Sequence, residues 1–340
     1  MAQPDPRAEW AVLLFYQYVA PWWSDGEAQQ MIVWLEAAVR GHALDGRVRV
    51  ATEGLNGNLT GSLADCRRFV ATCRTEKPAA FEATDFKMSA TPHADRFRGV
   101  KVWKVDEICA LGIDESTRRE LDAERRGGVH LAPNAFHELL VDAAAGASEK
   151  PVVLLDCRNC YETAIGRLVP PPPPPADSGA PSKVVFVDPE TRHFSDMPGW
   201  FERNAAELRD KKVLMYCTGG VRCERASALL RASGVDDVSQ LSGGIERYLE
   251  SFPAGGLFQG KNYVFDRRGV VGAPDAPAQP AIGACVLCRQ PWDKYKKRRC
   301  GTCKTLVLVC MDCCSRGRDS AEGLACGLSG CRAQQIAQGE

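Results

Sequence analysis

The sequence predicts an α/β protein in three pieces: an α+β domain in front, a doubly wound parallel-sheet domain in the middle, and a small cysteine-rich, metal-binding extension behind. Three observations carry this. Short, wholly apolar runs (Val152 to Leu155, Val184 to Val187 and Val213 to Tyr216) alternate with helical patterns through the middle, as strands covered on both faces do. A strand-helix-strand-strand-helix-strand order precedes them. Of the 16 cysteines, most fall after residue 280, largely in Cys-x-x-Cys pairs. At 340 residues the chain exceeds the usual size of one domain.

The first piece is expected over residues 1–113. Ala11 to Val19 is apolar and aromatic, suited to a strand. Gly26 to Val39 carries Met31, Ile32, Leu35 and Val39 at helical spacing. Val48 and Val50 lead to a tight glycine turn, Glu53-Gly54-Leu55-Asn56-Gly57, with Asn56-Gly57 as the turn signal and Asn58 to Thr60 as the returning strand. Leu63 to Cys73 reads as helix, and Gly99 to Glu107 as the final strand. This order suggests a split βαβ, ferredoxin-like (acylphosphatase-like) sandwich.

A charged connector, Asp114 to Gly128, leads to the doubly wound domain, expected over 129–255. Six consecutive prolines, Pro170 to Pro175, interrupt it. Such a run forms polyproline II and cannot join a sheet, so residues 169–182 read as a surface insertion. A Gly/Ala/Pro-rich stretch, Gly269 to Gly283, marks a flexible boundary within the extension, 256–340.

The chemistry concentrates in Cys217-Thr218-Gly219-Gly220-Val221-Arg222-Cys223. An apolar strand ends at Cys217, at the carboxyl end where α/β sheets place ligands. Gly219 and Gly220 let the backbone curl so that amide N–H groups converge on one atom, an anion nest. A helix starting near Cys223 adds its positive end, and Arg222 adds a full charge, either facing the nest or bracing it. All three favour the thiolate and lower the cysteine's pKa. Four residues separate Cys217 from Arg222. Cysteine phosphatases have five there, a wider nest for phosphate, so this loop suits a sulfur-sized group. Cys223 reads equally as a resolving thiol or a small helix residue. The reading requires a sulfur reachable from solvent and donors turned toward it.

At this point the residues resemble the rhodanese-domain tRNA uridine hydroxylases, the bacterial wobble-uridine hydroxylase and its eukaryotic rhodanese-like relatives. The loop from Cys217 to Ser227 is similar to their active loop. So are Glu53-Gly-Leu-Asn-Gly, Phe86-Lys87-Met-Ser with Val100-Lys101, and His130-Leu-Ala-Pro. Asp156-Cys157-Arg158-Asn159 with Tyr161, Glu162 and Gly166 resembles the Asp-x-Arg-Asn-x-Tyr-Glu motif. Gln240 to Ile245 and Gly260 to Asp266 continue the likeness, which spans almost the whole chain. The resemblance implies oxygen-dependent hydroxylation of wobble uridine to 5-hydroxyuridine, with Cys217 catalytic and Arg222 shaping the loop. Asp156 and Arg158 are expected to form a buried, mainly architectural pair. This chain departs from the pattern at the proline tract and at Cys157 and Cys160.

In the extension, Cys285/Cys288, Cys300/Cys303, Cys310/Cys313 and Cys326/Cys331 supply eight thiols, enough for two tetrahedral zinc sites. Cys314 is a substitute ligand. Spacing does not fix the pairing; an interleaved arrangement, first pair with third and second with fourth, fits it. Four thiolates leave no open position, so these sites are structural rather than catalytic. The basic run Lys294 to Arg299, with Lys296, Lys297 and Arg298 at its centre, suits RNA contact or solvated surface. Lys87, Arg96, Arg98, Lys101 and Lys104 form a second candidate patch.

Lys plus Arg and Asp plus Glu are both 43, so there is no global field to draw in nucleic acid, and any tRNA contact must use local basic patches. No basic segment followed by an apolar one opens the chain, and no apolar run spans a membrane. Clustered cysteines in such a chain favour metal over disulfides and a reducing, cytoplasmic setting; an organelle-targeting peptide of atypical composition stays open. No glycine fingerprint for flavin or nicotinamide is present, so no nucleotide cofactor is expected, and molecular oxygen would be co-substrate for a hydroxylase. Two other functions compete: a sulfurtransferase carrying a persulfide on Cys217, and a non-catalytic, zinc-dependent interaction protein. Retention of Cys217, its glycines and Arg222 argues against the latter.

Overall fold

The computed structural model describes residues 9–123, 127–172, 183–277, 280–317 and 324–331. Most of the proline-rich insertion, 173–182, and the first eight residues lie outside that set. The chain divides into two compact units, Met1–Ala110 with Phe265–Gly269, and Leu111–Val264 with Val270–Glu340.

The first unit runs β1 (Trp10–Tyr18), α1 (Asp25–Gly41), β2 (Asp45–Ala51), β3 (Gly54–Ser62), α2 (Leu63–Glu76), α3 (Pro78–Phe81), β4 (Lys87–Ala90) and β5 (Val100–Lys104). Both long helices start on a serine: Ser24 forms a reciprocal capping box with Glu27, and Ser62 accepts from the Asp65 N–H. Leu13 and Phe15 of β1 meet Leu35 of α1 and Phe69 of α2 in a fully buried core. Sheet order is β4-β1-β3-β2-β5.

Two local expectations need correction. The strand that closes the ferredoxin-like motif is Lys87–Ala90, antiparallel to β1, whereas Val100–Lys104 is a fifth, edge strand parallel to β2. One face of an edge strand meets little core, which explains its imperfect alternation. The hairpin turns at Thr52-Glu53, between the paired Ala51 and Gly54, and Asn56-Gly57 lies inside β3. Gly57 is there for packing: a Cβ on it would sit 2.3 Å from Phe15 Cζ on the paired strand.

The second unit contains α4 (Glu115–Ala123), β6 (Val129–Leu131), α5 (Pro133–Ala144), β7 (Val152–Asp156), α6 (Cys160–Thr163), β8 (Gly166–Leu168), β9 (Val184–Val187), α7 (Met197–Leu208), β10 (Lys212–Tyr216), α8 (Val221–Ala232), β11 (Val238–Leu241) and α9 (Gly244–Ser251). It ends with β12 (Phe258–Gly260), β13 (Asn262–Tyr263), β14 (Val270–Val271) and α10 (Met311–Ser315). The parallel sheet has order β6-β11-β10-β7-β9. The charged connector is thus partly helix α4, opened by Asp114, whose carboxylate accepts from the Thr117 N–H at 2.9 Å.

Val152, Leu154, Leu214 and Tyr216 pack with Phe136 and Leu140 of α5 and Ile245 and Tyr248 of α9. Their alternates Val153, Leu155, Val213 and Met215 are also buried and point to the opposite face, where α7 and α8 pair. That two-sided covering is why the strands are apolar throughout. Among the described residues, no helix is long and apolar enough to cross a membrane.

Candidate active site and metal centres

Strand β10 delivers Cys217 to the carboxyl edge of the sheet, and α8 starts four residues later. Between them Gly220 takes φ +101°, a conformation open mainly to glycine, and its N–H donates to Cys217 Sγ at 3.1 Å. A further glycine pair, Gly243-Gly244, holds the loop from behind. A Cβ on Gly244 would come within 2.5 Å of the Cys217 carbonyl oxygen and 2.6 Å of that of Thr218. In its place the Ile245 N–H donates to the Cys217 carbonyl at 3.0 Å and the Glu246 N–H to that of Thr218 at 3.1 Å. With its carbonyls drawn toward the start of α9, the loop is free to turn N–H groups toward the sulfur.

Burial alone would raise the Cys217 pKa. The Cys223 thiol, the Arg222 charge and the N–H groups of Cys223 and Arg222 outweigh it and bring the thiol down to about 5. The donors are therefore turned inward as the chemistry requires. The other requirement is not met in this conformation, since Cys217 is 0% exposed. Chemistry at the sulfur depends on local opening of the loop. On opening, alkylation of Cys217 is expected to stay fast at neutral pH and fall as pH drops through about 5. A pH-rate profile with peptide mapping checks this; a midpoint near 8 to 9, as in an ordinary thiol, contradicts it.

Arg222 braces the loop. Its Nη1 donates to Glu162 Oε1 at 2.6 Å and its Nη2 to Glu162 Oε2 at 2.8 Å, with Thr218 Oγ1 3.1 Å from Nη2. Glu162 is fully buried. It is held in place by the start of α6, where the Asn159 N–H donates to Oε1 at 3.0 Å. Sequence reasoning missed Glu162 as the counter-charge, although the Tyr161-Glu162 pair of the motif was the available signal.

Asp156 and Arg158 form the expected buried pair, both 0% exposed, with Arg158 Nη2 donating to Asp156 Oδ2 at 2.7 Å. Tyr216 Oη and Thr163 Oγ1 also donate to Oδ2, at 2.8 and 2.9 Å. Arg158 Nη2 reaches the Gly166 carbonyl at 2.6 Å. Burial opposes the carboxylate, yet the Arg158 charge and these donors leave its pKa lowered. The cluster ties β7, β8, α6 and β10 together beneath the loop and is architectural.

Three tyrosines gather beside Glu162. Tyr161 and Tyr263 have ring centroids 5.1 Å apart, and Tyr295 of the extension lies 6.3 and 6.0 Å from them. Tyr295 Oη donates to the Tyr161 carbonyl at 2.6 Å. Tyr295, inside the basic run of the extension, is thereby bonded to the residue next to Glu162, the partner of Arg222. Lys296, Lys297 and Arg298 are exposed there. In the first unit Arg98 and Lys101 are exposed, Lys101 lying 4.8 Å over the Trp103 ring. Lys87 does not belong to a contact surface: it is 2% exposed, paired with Asp85 at 2.8 Å and set over the Tyr16 ring.

The eight thiols fall into two sets, Cys285/Cys288/Cys310/Cys313 and Cys300/Cys303/Cys326/Cys331, each with its sulfurs within 4.8 Å of one another. The pairing is interleaved. Sulfur separations of 3.5 Å (Cys288–Cys310), 3.8 Å (Cys300–Cys331) and 3.6 Å (Cys303–Cys326) are close to the edge of a tetrahedron of sulfurs. That edge is about 3.8 Å for metal–sulfur bonds of about 2.3 Å. Arg289 and Lys304 follow their Cys-x-x-Cys pairs at φ +64° and +61°, so the two knuckles turn alike. Both sets can hold a metal ion; Cys314 stands outside them.

A strand-ending cysteine in a nest of amides on a doubly wound sheet defines a rhodanese-type site. Residues 140–251 match the model of the rhodanese-like domain, 10–108 that of the UPF0176 acylphosphatase like domain and 259–332 that of the rhodanase C-terminal region. The tRNA uridine(34) hydroxylase of Rhodococcus erythropolis is 35% identical over 304 residues, 89% of this chain and 96% of that protein. That of Arthrobacter sp. is 33% identical over 95% of this chain and 98% of its own length. Rhodanese-like domain-containing protein 6 of Arabidopsis thaliana is 36% identical over 92% of this chain, which spans 52% of that longer protein. The chain belongs to the tRNA uridine(34) hydroxylase family.

Proposed function

We propose that this protein hydroxylates the wobble uridine of tRNA to 5-hydroxyuridine in an oxygen-dependent reaction at Cys217. The observation that carries the reading is the stabilised thiolate: a sulfur held by the Gly220 N–H at 3.1 Å, with its pKa brought down to about 5, in a chain of this family. Once the loop opens, a thiolate at neutral pH is a nucleophile for attack on the uracil ring or for carrying an oxygen or sulfur atom. Arg222 acts as a positioning residue, holding Thr218 and the loop against Glu162. The tRNA is held by local basic surface, with Arg98 and Lys101 on one unit and Lys296, Lys297 and Arg298 on the other. The two cysteine sets bind zinc as closed, structural sites. The enzyme works in a reducing, cytoplasmic compartment.

Null cells rescued with wild type or Cys217→Ser provide the test, read by nucleoside mass spectrometry of their tRNA. The wild type restores 5-hydroxyuridine and the variant leaves it at the null level. Equal 5-hydroxyuridine in all three strains rejects the hydroxylase. The nest would equally cradle a persulfide, which favours a sulfurtransferase as the second reading. Thiosulfate-to-cyanide turnover at the level of dedicated sulfurtransferases would select it.

A further inference from the structure

We propose that Cys217, Cys223 and Cys157 form a thiol relay that captures hydroperoxide-oxidised Cys217 as a disulfide and passes that disulfide inward to Cys223–Cys157, returning Cys217 as a free thiolate. The relay goes beyond the hydroxylase reading and does not depend on it.

The placement comes from the sheet. Strands β7 and β10 pair in parallel with Asp156 opposite Tyr216, so the next residue on each, Cys157 and Cys217, leaves the same edge of the sheet side by side. The Cys157 N–H donates to the Tyr216 carbonyl at 2.9 Å, fixing that register. Cys223 enters from the first turn of α8, where its N–H donates to the Gly220 carbonyl at 3.0 Å. Its thiol lies near enough to both the Cys217 and Cys157 sulfurs for each of them to act on its ionisation. All three residues are 0% exposed. Cys160, by contrast, turns away and meets Thr305 Oγ1 of the extension at 3.7 Å.

The chemistry balances at each step. The Cys217 thiolate attacks the distal oxygen of a hydroperoxide; the S–O bond forms, the O–O bond breaks, and sulfur is oxidised to sulfenic acid as hydroxide or alkoxide leaves and takes a proton from solvent. Hydrogen peroxide is close to water in size, and only transient opening of the loop is needed to admit it. The Cys223 thiol then attacks the Cys217 sulfur. The S–S bond forms, the S–O bond breaks, and the thiol proton departs with hydroxide as water. Cys157 next attacks the Cys223 sulfur, expelling Cys217 as thiolate and releasing one proton. The direction of that exchange follows from the leaving group, since the sulfur best stabilised as an anion leaves fastest. A small thiol or dithiol reductant resets the Cys157–Cys223 bond. Capture in this way keeps Cys217 from the irreversible sulfinic state.

The test uses the full chain with its metals, reduced, then treated with hydrogen peroxide, alkylated in acid and digested with trypsin. Cleavage after Arg158 and Arg222 places the three cysteines on separate peptides. Wild type is expected to yield a Cys157–Cys223 crosslink with Cys217 still alkylatable. Cys157→Ser should stop at Cys217–Cys223, and Cys223→Ser should form Cys217 sulfinic acid several-fold faster than wild type. Equal metal content and far-UV circular dichroism of the serine variants establish that they fold. Sulfinic acid forming at one rate in all three proteins, with no crosslink among these cysteines, overturns the relay. So does a Cys217 left unmodified under peroxide that oxidises ordinary protein thiols. None of these readouts involves tRNA, so failure here leaves the hydroxylase reading standing, and failure of that reading leaves the relay standing.

Discussion

Glu162→Ala is expected to destabilise the second unit by about 3–5 kcal/mol, because it strips a buried guanidinium of its counter-charge. Glu162 is fully buried and Arg222 nearly so, and two short charge-assisted bonds join them. The same substitution removes the acceptor of the Thr218 hydroxyl and frees the Asn159 N–H that Glu162 caps. Urea unfolding measures the loss, and an unchanged midpoint would refute it. Replacing both partners by leucine separates stability from chemistry. Two apolar side chains of fitting volume should recover most of the loss, since a buried ion pair is often matched by hydrophobic packing. The Cys217 thiol should nonetheless rise toward the ordinary range, because the Arg222 charge helps to hold it down. Stability regained without a thiolate would establish that the pair is kept for the loop's electrostatics.

Stripping metal from the extension is expected to unfold it. Its core consists of the cysteines themselves with Val307, Val309, Leu324 and a few half-buried neighbours. That is too little apolar area to offset the ordering of the chain, so binding of the ion is the folding free energy, about 10–16 kcal/mol per site in small zinc peptides. A strong chelator should release two equivalents of zinc and abolish hydrogen-exchange protection around Cys300 to Cys313. Tyr295 would then lose its bond to the Tyr161 carbonyl, next to Glu162. Protection that survives full metal release would show that the fold does not need the ions.

The order of the major elements was legible because each has a period or a length that physics restricts. Val152–Asp156 and Lys212–Tyr216 are apolar on both faces and short, and only a covered parallel strand fits that description. The cysteine loop was legible for a similar reason, since Gly-Gly between a strand and a helix has few other uses. The strand Lys87–Ala90 was marked only by the family resemblance at Phe86-Lys87-Met-Ser, because four residues, one of them a buried lysine paired with Asp85, carry no alternation to read. Asn56-Gly57 misled because a small residue serves a turn and a close aromatic contact equally, and the contact with Phe15 is long-range. The partner of Arg222 lies sixty residues upstream, and nothing local to the loop announces it. Whether Cys217 is covered is likewise a property of the packed unit.

The alternation of the two thiol sets along the chain has a consequence for biosynthesis. Cys300 and Cys303 of the second set are made before the first set is complete at Cys313, and the second set waits for Cys331. A ribosome therefore releases half-formed knuckles from both sets at once, with several sulfurs competing for one ion. Truncation before Cys310 leaves two orphaned pairs able to combine wrongly, while truncation after Cys313 preserves one correct cluster. Closure of the second set therefore rests on Cys326 and Cys331, the last of the eight thiols to be made.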